Sequence, residues 1–83
     1  MRANRAYRLI VTRSGTAHAF LADPDRIDHV ELVEIGGGEV ELFWDCTPEA
    51  ARRLARAIKT DLAQLDAEEF ITRWRAQQDV ELI

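Results

Sequence analysis

The sequence predicts an α+β domain, a four-stranded antiparallel meander followed by a long amphipathic helix and a shorter second helix. Three observations lead there. Apolar residues alternate with period two as far as Cys46, they recur every three or four residues from Ala51 onward, and Thr47-Pro48-Glu49 separates the two regimes. That tripeptide has the chemistry of a helix start. The Thr47 hydroxyl can accept from an orphan backbone amide, Pro48 suits a first position that needs no amide proton, and Glu49 faces the positive end of the helix dipole. The chain of 83 residues thus reads as one domain, with a sheet half over 5–46, a helical half over 48–78 and a C-terminal tail over 79–83.

The first strand is expected over 5–13, with Tyr7, Leu9 and Val11 on one face and Ser14-Gly15 supplying turn chemistry after it. A second strand over 16–22 puts Ala17, Ala19 and Leu21 on one face and His18 and Phe20 on the other. It ends at Asp23-Pro24-Asp25, where proline fixes φ and the aspartates favour local turn bonds. The third, over 29–35, places Val30 and Leu32 together before the pattern shifts phase and throws Val33 and Ile35 to the opposite face. Such a shift calls for a bulge or for two buried faces. Gly36-Gly37-Gly38 makes a hairpin loop, and the fourth strand over 39–46 aligns Val40, Leu42, Trp44 and Cys46.

After Thr47, the residues Ala51, Leu54, Ala55, Ile58, Leu62 and Leu65 project onto one helical stripe that should cover one face of the sheet. The other side of that helix gathers Arg52, Arg53, Arg56 and Lys59. Asp66 and Glu69 form a capping-box pattern, so a second helix starts after Leu65 and presents Ala67, Phe70, Ile71 and Trp74. The tail, Val80-Glu81-Leu82-Ile83, is apolar enough to be expected to dock as a strand on a sheet edge, in its own subunit or in a partner.

Size makes the core marginal, since a domain of this length removes only roughly 60% of its unfolded surface from water. Small domains often recruit disulfides, metals or a second subunit. Cys46 is the single cysteine, which excludes an intrachain disulfide, and a hydrophobic content of 47% is ordinary for a globular chain. A partner subunit is the expected supplement. Fifteen acidic against eleven basic residues give a net charge of −4, which weighs against broad charge-driven binding to nucleic acid or anionic membrane. Leu9-Ile10-Val11 is too short for a signal-peptide core or a membrane span, so a cytoplasmic protein is expected. Lys59 is the sole lysine and alanine is abundant, a bias that points to a GC-rich bacterial genome.

The candidate interface is the second face of the sheet, to which Ile10, Phe20, Val33, Ile35 and Phe43 all alternate. An exposed apolar patch of that kind marks a contact surface. It is filled either by the second helix wrapping round within the subunit or by a two-fold related copy, with a small-ligand groove as a further use. The basic side of the long helix, Arg52, Arg53, Arg56 and Lys59, offers phosphate contacts and carries the alternative reading of a nucleic-acid-binding regulator. No helix-turn-helix or RNA-recognition motif accompanies it, and Glu31, Glu39 and Glu41 offer the stripe pairing partners across a dimer. His18, His29, Asp45 and Cys46 lack the paired spacing of zinc ligands, so neither metal nor cofactor is expected. Cys46 beside a helix start invites a thiolate, yet its alternation points it inward as a small hydrophobe. Gly36-Gly37-Gly38 joins two strands and is no phosphate loop. No catalytic residue is assigned. The expected function is a non-enzymatic protein-interaction module, regulatory, adaptor or inhibitor-like, acting as a homodimer.

Overall fold

The computed structural model describes residues 1–13 and 27–79. In chain order they form helix α1 (Ala3–Ala6), strands β1 (Tyr7–Arg13), β2 (Asp28–Glu34) and β3 (Val40–Cys46), and helices α2 (Pro48–Gln64) and α3 (Ala67–Asp79). The α+β class holds: a three-stranded antiparallel sheet in the order β1-β2-β3 is followed by two long helices. β2 is central. It pairs with β1 from Tyr7↔Glu34 to Arg13↔Asp28, and with β3 from Asp28↔Cys46 to Val33↔Val40. The expected meander placed residues 16–22 between the first strand and the one near 29–35, and that order is overturned because both edges of β2 are taken. The segment 16–22 itself, with Phe20, and the tail 80–83 lie outside the described residues.

The phase shift near Val33 has a cause in the register. Leu32 pairs with Leu42 but Val33 pairs with Val40, leaving Glu41 as the extra residue of a bulge on β3. Alternation along β2 is otherwise unbroken, with Asp28, Val30 and Leu32 buried and their neighbours less so. The bulge takes Val40 off the face it was expected to share with Leu42, Trp44 and Cys46, and it remains exposed opposite Val33. Glu41 meets Arg75 of α3 at 3.2 Å, so this carboxylate finds its cation within the chain. In the hairpin loop Gly38 donates to the Glu34 carbonyl at 2.8 Å and adopts φ +73°, a conformation that excludes most side chains.

The N-terminus departs from a strand beginning at residue 5, because Arg5 and Ala6 close the single turn of α1. This segment is held by the α2–α3 junction. Ala3 N–H donates to the Leu65 carbonyl at 2.9 Å, Ala67 N–H donates to the Met1 carbonyl at 2.8 Å, and the Met1 ammonium meets Asp66 Oδ1 at 2.9 Å. Ala3 is fully buried as a result. The ammonium and the backbone N–H of Glu68 hold the Asp66 carboxyl below the usual carboxylate range.

Both long helices start as their sequences require. Thr47 accepts from Ala50 N–H at 3.2 Å at the head of α2, and Asp66 accepts from Glu68 N–H at 3.3 Å at the head of α3. Ile58 and Leu62 of α2 and Phe70 and Trp74 of α3 pack into one core with Val30, Leu32, Leu42 and Trp44. Both helices therefore cover the same face of the sheet. Phe70 lies 5.6 Å from the Tyr7 ring, and Trp74 meets Trp44 edge-on at 6.1 Å. Complete burial of side chains such as Phe70 and Ile58 is worth about 1.5–3 kcal/mol each. Asp61 ties α2 to α3 by accepting from Trp74 Nε1 at 3.0 Å.

Candidate functional site

With α3 packed beside α2, no described helix covers the second face of the sheet. The register sets three rows across it: Arg8, Val33 and Val40; Ile10, Glu31 and Phe43; Thr12, His29 and Asp45. Ile10, Val40 and Phe43 are 39%, 51% and 40% exposed, and Ile35 beyond the first row is 44% exposed. Four of the five residues expected at an interface, Ile10, Val33, Ile35 and Phe43, are thus brought to one side. Phe20 lies outside the described residues. Val40 joins the patch through the bulge, which no periodicity in the sequence announces.

The patch has relief. Arg8, Ile10, Val33 and Ile35 surround a depression of about 140 Å³, while the Phe43 ring stands on the neighbouring strand row, stacked on His29 at 5.6 Å. Arg8 and Glu31 bring opposite charges to the same face. Neither has an ion-pair partner among the described residues.

The basic residues of α2 divide. Arg53 pairs with Glu49 one turn earlier at 3.4 Å. Arg52, Arg56 and Lys59 lie on the flank of α2 that faces the end of β1, where Arg13 joins them around a cleft of about 700 Å³. All four basic residues of α2 are exposed, as the helical projection expects, but Arg53 does not line the cleft. Arg13 was missed in the sequence because nothing in its strand pattern connects it to a helix almost forty positions on.

His29 Nδ1 meets Asp45 Oδ1 on the outer face. Among the described residues, no three of His, Cys, Asp and Glu gather as a metal site requires. Cys46 is half-buried against the core. Burial pushes its thiol pKa up, and the carboxylates of Asp45 and Asp28 push it the same way. That is opposite to the shift a helix N-terminus would give a nucleophile. Trp44 Nε1 is buried and makes no hydrogen bond among the described residues.

No helix of the described residues is long and apolar enough to cross a membrane. Comparison with protein-family models, curated proteins and solved structures finds no match. The function is therefore read from the chain's own surfaces.

Proposed function

We propose that this chain is a non-enzymatic protein-interaction module that pairs with a second copy of itself through the uncovered face of its sheet. One observation carries the reading: an exposed aromatic ring, Phe43, and a depression of comparable size occur on the same face. An apolar cavity of about 150 Å³ accepts a benzene-sized ring, and the depression beside Ile10 and Val33 measures about 140 Å³. In a two-fold interface each surface meets its own copy, so Phe43 of each subunit enters the depression of the other. Arg8 and Glu31 then cross-pair between copies, which selects a second copy over an apolar partner of another kind. The dimer adds the burial that a core of this size lacks. A regulatory, adaptor or inhibitor-like role follows from a module whose work is protein contact, and a bacterial cytoplasm suits its lone free cysteine and arginine-rich composition.

Gel filtration with light scattering tests the reading. Wild type is expected at twice the chain mass at micromolar concentration, and Phe43→Asp and Val33→Asp are expected to run at the monomer mass with the helical circular dichroism retained. A wild type that stays monomeric over a broad concentration range would remove the proposal. A monomer destabilised by both changes would place the patch under cover within the subunit.

A further inference from the structure

We propose that the cleft between α2 and the end of β1 binds an organic diphosphate of nucleotide size. Its walls come from two elements distant in sequence. β1 contributes Arg13, and successive turns of α2 contribute Arg52, Arg56 and Lys59. None of these four cations has an ion-pair or hydrogen-bond partner among the described residues. Asp28 is the one carboxylate among the described lining residues, so four positive charges face one negative charge in a chain of net charge −4. Like charges gathered without partners repel one another, and a bound polyanion relieves that repulsion. A concave cationic wall in an otherwise acidic protein also concentrates such an anion from solution.

The geometry narrows the anion. Planar guanidinium groups donate to phosphate oxygens in pairs, and three of them with an ammonium, spread along two turns of α2 and the end of β1, suit an anion with more than one phosphate. Val11, Pro48, Ala51 and Ala55 supply small apolar surface beside the cations, on which the organic part of the ligand rests. The volume, about 700 Å³, falls within the roughly 300–1,000 Å³ usual for small-molecule sites. A nucleic-acid duplex is read by an element that projects into a groove, whereas these cations surround a recess. Arg53, the residue that would carry a positive track further round the helix, is engaged by Glu49. Both features favour a small ligand entering the cleft over a strand passing across it.

Isothermal titration calorimetry with ADP, pyrophosphate and a single-stranded oligonucleotide, at about 0.15 M ionic strength, tests the site. ADP is expected to bind, and more tightly than pyrophosphate because only ADP uses the apolar surface. Arg52→Gln and Arg56→Gln are each expected to weaken ADP binding about tenfold or more, and Arg13→Gln likewise, as loss of a charged hydrogen-bonding partner implies. Arg53→Gln and Phe43→Asp are expected to leave it unchanged, the latter keeping this site separate from the dimer face. Absence of ADP binding, tighter binding of pyrophosphate than of ADP, binding of the oligonucleotide alone, or loss of ADP binding through Arg53→Gln but not Arg56→Gln would each overturn the proposal.

Discussion

On one face of the sheet Val30, Leu32 and Leu42 lose nearly all contact with water beneath α2 and α3. On the other, Val33 and Phe43 directly follow Leu32 and Leu42 in sequence, Ile10 pairs with Glu31 from β1, and all three remain accessible. The strands supply apolar side chains to both faces, so the difference lies in the helices. α2 and α3 each carry one apolar stripe, and both stripes converge on one core. Two helices with one stripe each can cover one side of a three-stranded sheet; the second side is left for something else.

Truncation at matched aromatic positions gives the largest contrast. Phe70→Ala removes a fully buried ring and is expected to lower stability by about 3–5 kcal/mol. Phe43→Ala, measured by urea denaturation at concentrations where the dimer has dissociated, is expected to cost under about 1 kcal/mol. Equal losses at the two positions would erase the distinction between the faces.

The two tryptophans sharpen the comparison within the covered face. Trp74 Nε1 donates to Asp61 Oδ2, whereas Trp44 Nε1 is buried with no acceptor among the described residues. Trp74→Phe therefore gives up a hydrogen bond worth about 0.5–1.5 kcal/mol and leaves Asp61 with one donor fewer. Trp44→Phe gives up no hydrogen bond and relieves a desolvated donor. Chemical denaturation is expected to show the larger loss for Trp74→Phe.

Gly38 offers a smaller test, aimed at the register that moves Val40 to the outer face. Alanine at this φ of +73° is expected to cost about 1 kcal/mol. The loss should appear in thermal unfolding with the sheet signal in circular dichroism unchanged.

Acid titration gives the smallest expected effect. The folded-state pKa of Asp66 is lowered, chiefly by the Met1 ammonium. Its contribution is therefore present above the unfolded carboxylate pKa and is lost as pH falls through the lowered folded value. Asp66→Asn is expected to lower stability slightly above the unfolded carboxylate pKa and to converge with wild type as pH falls through the lowered folded value, which flattens the acid limb. A steeper acid limb in the variant would contradict the assignment.

Local chemistry accounts for much that the sequence determined. Period-two alternation placed Leu32, Leu42 and Trp44 on one face, helical spacing placed Ile58 and Leu62 toward it, and Thr47 and Asp66 marked the two long helix starts at their observed positions. These features depend on neighbours a few residues apart, so periodicity and capping chemistry suffice to find them. The candidate interface residues Ile10, Val33, Ile35 and Phe43 were legible for the same reason. Tertiary structure decided the rest. The pairing of β1 with β2, the burial of Ala3 at the α2–α3 junction and the meeting of Arg13 with Arg52, Arg56 and Lys59 join residues far apart in the chain, and the bulge at Glu41 is set by how β2 and β3 pair. Which strand edges pair, and which helix flank faces which strand end, follow from competition among long-range contacts within one small core, and no local pattern of side chains records its outcome.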